Sequence, residues 1–383
     1  MHVYVHIPFC RRKCIYCDFY SVGERLADWP GLVDSLLREA RIRADSFGSH
    51  TPGVPSSLYI GGGTPSLMPV EEFLRLSAGL SELFPDGPGE FTVEVNPDDV
   101  SEDKVAAWCA AGVNRVSMGV QSLMDSELKA ICRRHTAGDA VEAYGLLRRS
   151  FRNISLDLIF GLPGQTPDSL RHTVDGFLDM APEHISAYSL MYEERTALTR
   201  MRDRGTIDET AEADSVEMFA MVSDMFAGAG YEQYEISNYA REGFRSLHNS
   251  SYWKGLPYIG LGPGAHSYDG LRTRRENLPD LAAWRGGDET DFPFSEETLT
   301  DDELREEYIM TRLRTREGIP LDEFGRRFGS VESDRLLRKA GRFMEGAIRR
   351  NPQPSLTLCD DGKFLSLTRA GIMVSDEVIS SLF

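Results

Sequence analysis

Cys10-Arg-Arg-Lys-Cys14-Ile-Tyr-Cys17 decides how this chain is read. It follows directly on an apolar run, Val3-Tyr-Val-His-Ile-Pro-Phe9, which reads as a buried strand. Three thiolates this close in sequence can converge on one soft metal centre, and cubane iron–sulfur clusters usually take four cysteines. No fourth follows here; the next residues are Asp18 and Phe19. A cube held by three cysteines leaves one iron open, and an open iron can bind and activate a small molecule. Zinc is the rival occupant, with His6 or Asp18 completing the closed tetrahedron that structural zinc requires.

The next strand ends in Tyr59-Ile60-Gly61-Gly62-Gly63-Thr64-Pro65. Glycines there let backbone approach a ligand and offer N–H and C=O groups without side-chain obstruction. Alone, such a run also suits a tight strand–helix turn; one strand after the cysteine triplet it gains weight. Further on, apolar runs alternate with amphipathic stretches. Candidate strands are Val3–Ile7, Ser57–Ile60, Phe91–Val95, Arg115–Val120, Ile154–Phe160 and Ile185–Leu190. Candidate helices are Trp29–Ala44, Pro69–Phe84, Glu102–Ala111, Asp139–Ser150 and Thr166–Met180, with Ser101 and Thr166 as N-caps. Pro52–Ser57 reads as a loop. Strand–helix repetition predicts parallel strands, and six units fit an incomplete barrel better than an open sheet. Polar residues near the C-terminal ends of such strands face the mouth: Glu94, Gln121 and Asp157 hold such positions. The plainer reading of each is a turn or cap hydrogen bond.

At 383 residues the chain predicts more than one domain. Asp208–Ala229 reads as a long helix closing the barrel region, and Gly230 to about Phe294 as loop-rich. From Thr300 a small module follows: helices at Asp301–Thr315, Ser333–Ile348 and Ser375–Leu382, and a hairpin joining Leu356–Cys359 to Phe364–Leu367. The boundaries drawn are 1–230, 231–299 and 300–383. A net charge of −18 argues against nucleic acid as a partner. No run approaches the roughly 20 apolar residues of a membrane span. Without a signal-like N-terminus the expected place is the cytoplasm, with Cys109, Cys132 and Cys359 reduced and buried as small hydrophobes.

The cysteine triplet after the first strand and the GGxP-like turn after the second resemble the signature of the radical S-adenosylmethionine (SAM) family. The resemblance implies an α/β fold, a partial (β/α)6 TIM-like barrel, followed by an α+β, winged-helix-like C-terminal module. It also implies a 4Fe-4S cluster on Cys10, Cys14 and Cys17, with SAM on the open iron and Gly62, Gly63 and Thr64 against its methionine part. Tyr4-x-His-Ile-Pro-Phe-Cys10 is similar to the opening of the oxygen-independent coproporphyrinogen III oxidase group. That likeness places Tyr4, Tyr16 and Glu94 near SAM, and Gln121, Arg133 and Asp157 around SAM or a second SAM-like site. Two departures count against porphyrinogen decarboxylation. Phe19 stands where those enzymes carry a further cysteine, and the N-terminal extension they use for substrate is not expected here.

His248-Asn-Ser-Ser-Tyr252-Trp253 points elsewhere. Imidazole is an axial ligand for haem iron, and Tyr252 and Trp253 offer flat faces to a macrocycle. An isolated histidine beside aromatics is also an ordinary packing residue. The H-N-x-x-Y-W pattern resembles the radical SAM haem chaperones, which implies haem at His248 and transfer to acceptor haem proteins, respiratory membrane enzymes among them. Coproporphyrinogen III dehydrogenation is the alternative. SAM would be cleaved to a radical or serve as an effector. Gly260-x-Gly262-x-Gly264 lacks the spacing and following helix of a dinucleotide loop and reads as a close-packed turn.

Overall fold

The computed structural model describes residues 2–43, 56–82, 87–287, 290–346 and 353–383. Six strands and their helices follow the expected alternation. The strands are β1 (His2–Ile7), β2 (Ser57–Gly62), β3 (Glu90–Val95), β4 (Arg115–Gln121), β5 (Ile154–Phe160) and β6 (His184–Ser189). The helices between them are α1 (Trp29–Ile42), α2 (Val70–Ser81), α3 (Glu102–Ala110), α4 (Ala137–Arg148) and α5 (Pro167–Met180), and α6 (Glu212–Gly228) follows. Ser101 and Thr166 cap α3 and α5 as expected, each accepting a backbone N–H from three residues on. Most of the expected Pro52–Ser57 loop, and the ends Ala44, Phe84 and Ile348 of three expected helices, lie outside the described residues; Ser57 already belongs to β2.

All six strands pair in parallel, in chain order. Their side chains alternate between two environments, as the period of a strand requires. Val3, Val5, Ile7, Leu58, Ile60, Phe91 and Val93 belong to the large apolar core beneath the helices. The intervening residues, His2, Tyr4, His6, Ser57, Tyr59, Thr92 and Glu94, face the lumen. The lumen is therefore polar, and several of its groups pair with one another, Tyr59 with Glu94 and Ser57 with His2 among them.

The stretch expected to be loop-rich is the main departure from the sequence reading. It builds β7 (Glu232–Gln233), β8 (Asn238–Ala240), α7 (Leu247–Trp253), β9 (Tyr258–Leu261), β10 (His266–Tyr268), β11 (Thr273–Asn277) and β12 (Phe294–Thr298). Together with the barrel strands they form one sheet in the order β12-β11-β10-β9-β1-β2-β3-β4-β5-β6-β8-β7. β9 lies parallel to β1, so the parallel part has a seventh strand among the described residues. These strands escaped the reading because each is short, and glycine interrupts β9. Gly260 is that interruption: a Cβ there would fall 2.1 Å from the carbonyl oxygen of His266. Gly262, at φ +101°, makes the close turn that follows.

What secures this extension is a buried carboxyl on α1. Glu39 accepts from the Gly262 N–H (2.8 Å) and from the Asn277 amide (2.6 Å), and Arg43 lies 3.7 Å away. Arg43 in turn donates to the Gly260 carbonyl and the Ser267 hydroxyl.

The C-terminal part has its own apolar core, including Ile309, Leu313, Phe324, Leu336, Phe343, Leu356 and Leu365. Its helices are α8 (Asp301–Leu313), α9 (Leu321–Phe328), α10 (Ser330–Met344) and, at the end, α11 (Ser375–Ser380); α9 was not foreseen. The hairpin of β13 (Leu356–Cys359) and β14 (Phe364–Leu367) matches its expected bounds, and Ile319–Pro320 adds a short third strand. Two of the scattered cysteines correct the sequence reading. Cys109 and Cys359 are exposed, on the outer face of α3 and beside the hairpin turn, and Cys132 is half-buried.

Replacing Glu39 with Ala would leave Arg43 and the Gly262 N–H buried without their partner. We expect a loss of about 3 kcal/mol, read by urea denaturation. An unchanged midpoint would show that the extension does not depend on this carboxyl.

Candidate active site

The residues at the mouth are placed by strand ends and by the loops that follow them. β1 runs into Phe9–Cys10, and the loop beyond it carries Cys14 and Cys17. Arg11 pins that loop from outside, 3.0 Å from Glu24 and 3.5 Å from Asp99. The glycine turn closes over the loop: the Gly63 N–H donates to the Ile7 carbonyl at 2.7 Å. A Cβ on Gly63 would stand 2.8 Å from the Phe9 carbonyl oxygen and 3.0 Å from Cys10 Sγ. Gly62 has φ +111°, and a Cβ there would meet the His6 ring at 2.6 Å. Both positions therefore require glycine. The Thr64 hydroxyl donates to Cys10 Sγ at 3.5 Å.

A cavity of about 450 Å³ opens at this end of the strands. It brings together Cys10, Cys14, Cys17, Tyr16, Gly62, Gly63, Thr64, Glu94, Gln121, Arg133 and Asp157. Of the residues expected in the site, Tyr4 and His248 do not line it. Asn96, Ser117, Tyr188 and Met191 line it as well. Asn96 could have been found, because it follows Glu94 at the same strand end; the others give no pattern in the sequence. Arg133 spans one wall, donating to Asn96 Oδ1 (2.8 Å) and the Gly119 carbonyl (2.5 Å) and lying 3.6 Å from Cys14 Sγ. Gln121 has φ +69° at an irregularity of the β4–β5 register. Its Oε1 is buried without a hydrogen-bond partner, as is Arg133 Nε. Buried polar atoms without partners on a cavity wall suit a polar ligand.

The three thiols line the same cavity. Among the described residues no three His, Cys, Asp or Glu side chains converge on a single ion. A 4Fe-4S cube takes a separate iron at each thiolate, whereas structural zinc needs a fourth ligand in a closed tetrahedron. Burial raises the Cys10 thiol and pushes Cys17 up to about 11, so a metal must displace their protons.

Glu94 is the central acid. It accepts from Tyr59 Oη (2.7 Å) and the Gly62 N–H (3.1 Å). Burial nevertheless pushes it up to about 7, and Asp157, also buried, to about 6. A carboxyl poised near neutrality by desolvation is ready to receive a cationic group.

His248, which the resemblance assigned to haem, stands in an enclosed setting. It lies near the N-terminal ends of the strands, away from the cysteines, and is 1% exposed. Its Nδ1 faces Ser57 Oγ at 2.7 Å and its Nε2 faces Tyr252 Oη at 2.9 Å. The ring stacks on Tyr59 with centroids 4.9 Å apart. Both nitrogens are engaged and the ring is enclosed, so this geometry presents no iron ligand. The H-N-x-x-Y-W stretch is the helix α7, which sets His248 and Tyr252 one turn apart. Glu90, at the start of β3, anchors it by accepting from the Ser246 hydroxyl and the Leu247 and His248 N–H groups. His266 is an exposed residue 3.8 Å from Glu276. Tyr4 lies below the cavity, its hydroxyl 3.3 Å from His6 Nδ1.

Residues 4–176 match the model of the radical SAM superfamily, and residues 299–374 that of the HemN C-terminal domain. A Bacillus subtilis protein named heme chaperone HemW is 34% identical over 94% of this chain and 96% of its own length. The HemW of Lactococcus lactis is 34% identical over 85% of this chain and 84% of its own. The chain belongs to the HemW family of radical SAM proteins. A Bos taurus relative, the mitochondrial radical S-adenosyl methionine domain-containing protein 1, is 34% identical over 84% of this chain and 70% of its own. The fold matches that of Escherichia coli coproporphyrinogen III oxidase HemN, with a TM-score of 0.81 at 21% identity over 99% of this chain and 89% of that one. No helix among the described residues is long and apolar enough to cross a membrane.

Two outcomes test this geometry. In the folded chain Glu94 titrates near 7, above the unfolded value of 4.5, so the folded state holds the proton more tightly. Its contribution to stability is complete below about 4.5 and is lost as pH rises to about 7, a change of roughly 3 kcal/mol. The difference between wild-type and Glu94→Gln stability should follow that curve in urea titrations; a flat difference would refute it. Comparing the two removes the buried histidines, whose lowered values give the opposite slope. Secondly, His248→Ala should cost about 3 kcal/mol in stability, with His248→Gln recovering part, because a stacked and doubly bonded side chain is lost. A thermal midpoint equal to wild type would contradict that role.

Proposed function

We propose that the protein is a haem chaperone: it binds haem and passes it to acceptor haem proteins, respiratory membrane enzymes among them, from the cytoplasm. The observation that carries this reading is the 34% identity to proteins named heme chaperone HemW over nearly the whole chain, in both directions. Phe19 supports it. This position follows the third cysteine by two residues, and an exposed phenylalanine there cannot act as a further thiol.

The lining of the cavity fits a 4Fe-4S cluster on Cys10, Cys14 and Cys17 and SAM beside it. Bound together, these groups supply one-electron chemistry at a sulfonium centre. The chain's own part is to hold and orient. Gly62, Gly63 and Thr64 give a close backbone edge; Glu94, held by Tyr59 and the Gly62 N–H, receives a cationic amine. Arg133 and Gln121 offer unpartnered polar atoms to the polar remainder, and Asp157 stands at the next strand end. Tyr16, half-buried, lines the same wall as Cys14. In this reading His248 acts as the floor on which Tyr59 rests. The chain divides at about 230 and 299 into barrel, extension and C-terminal module.

Anaerobically reconstituted protein, titrated with haem, should show a saturable Soret band at one haem per chain and should yield that haem to an apo-haem protein. Turnover of coproporphyrinogen III to protoporphyrinogen with SAM and a reductant, without haem affinity, would overturn this reading in favour of the dehydrogenase.

A further inference from the structure

Two of the three cysteine sulfurs are met by side-chain donors, and one amide holds both donors. The Thr64 hydroxyl donates to Cys10 Sγ at 3.5 Å, and Arg133 Nη1 to Cys14 Sγ at 3.6 Å. Asn96 stands between them. Its Oδ1 accepts from Arg133 Nη2 at 2.8 Å, and its Nδ2 donates to Thr64 Oγ1 at 3.4 Å. A guanidinium can only donate, so the amide has one orientation, oxygen toward Arg133 and nitrogen toward Thr64. That orientation sets the next link as well. Thr64 Oγ1 accepts from Asn96, which leaves its own proton for Cys10 Sγ.

The backbone of Asn96 is fixed from both sides. Its N–H donates to Ser66 Oγ at 3.1 Å, and its carbonyl accepts from the Asp99 N–H at 3.1 Å. Ser66, buried, passes its own proton to Asp99 Oδ2 at 3.1 Å. Asp99 lies 3.5 Å from Arg11, the neighbour of Cys10, and 3.4 Å from Arg134, the neighbour of Arg133. The amide is thus set where the cysteine loop, the glycine turn and the Arg133 segment meet. A residue that only closed a turn would need the backbone bonds alone; the side chain adds two, and each leads to a cysteine sulfur.

We infer that Asn96 is a positioning residue for the iron–sulfur cluster: it aims the Thr64 hydroxyl at Cys10 and Arg133 at Cys14, and so raises the reduction potential. The inference rests on the reading of Cys10, Cys14 and Cys17 as cluster ligands and deepens it. Hydrogen bonds to the sulfurs are among the factors that set such potentials. A donor draws charge from a thiolate. The reduced form carries one more electron than the oxidised form and gains more from that donor. Cysteine spacing supplies the ligands; the amide supplies two of them with directed donors.

The test uses the full chain, anaerobically reconstituted. The midpoint potential is read by electron paramagnetic resonance during reductive titration, with iron content and thermal midpoint beside it. Asn96→Asp keeps the shape but offers only acceptors, so it retains Arg133 and turns the Thr64 hydroxyl away from Cys10. At wild-type iron content the potential should fall by about 59 mV, a tenfold change in the one-electron reduction constant. Thr64→Val removes the same sulfur contact without adding charge and should shift the potential in the same direction. In that background Asn96→Asp should add less than about half of the shift it gives alone, because its route through the hydroxyl is gone. A full-sized shift there would show that the added charge acts by itself, and would overturn the relay. Asn96→Ser, neutral and too short to reach Thr64, should lower the potential by less, and it carries the test if Asn96→Asp loses iron. Wild-type potentials in Thr64→Val and both Asn96 variants would overturn the inference. If wild type itself takes up no iron and sulfide, the cluster reading falls instead.

Discussion

The lumen depends on one contact, the Tyr59 hydroxyl on Glu94. A carboxyl inside a barrel loses much of its hydration, and two donors, Tyr59 and the Gly62 N–H, compensate only in part, so its affinity for a proton stays high. Tyr59 can make that contact only if its ring is held from the other side. The His248 ring does so by stacking, and His248 is fixed in turn by Ser57 and Tyr252. Ser57 completes the layer by meeting His2 Nδ1 at 2.8 Å. The acid at the mouth and the helix beneath the barrel are thus connected by direct contacts, each of which satisfies a group that would otherwise be buried and unpaired.

This arrangement explains what the sequence could and could not disclose. The cysteine triplet and the glycine turn were legible because their chemistry is local: spacing alone brings three thiols onto one loop, and only glycine fits at Gly62 and Gly63. The six barrel strands were legible because each is an apolar run of ordinary length between helical stretches. Glu94 and Asp157 were legible because each interrupts such a run. The surroundings of His248 were not legible because its neighbours in sequence, Asn249 to Trp253, say nothing of Tyr59, Ser57 or Glu90, which arrive from β2 and β3. A histidine beside aromatics reads the same whether it faces a ligand or another ring.

The extension was missed for a related reason. β8 and β9 join the sheet through partners far off in the chain, β6 and β1, and each has too few residues to show a period. Its strongest tether is Glu39, which in sequence is one more charged residue in an amphipathic helix. A fully buried acid on the face of α1 that also carries Leu32, Leu36 and Ala40 is decided by Asn277 and Gly262, over 220 residues away. Such pairs carry no local signature.

Phe19 draws these strands together. In sequence it marked an absence, the place where a further cysteine would stand. In the fold it is an apolar ring turned out beside the cavity, with Met191 and Tyr188 around the same opening. A cysteine there would add a nucleophile or ligand within the mouth; a phenylalanine adds only a face. Polar groups line the cavity and apolar side chains stand at its opening, so the two kinds of surface are separated by depth. The strands that carry the polar groups are braced from below by the enclosed His248, through its contacts with Tyr59 and Ser57.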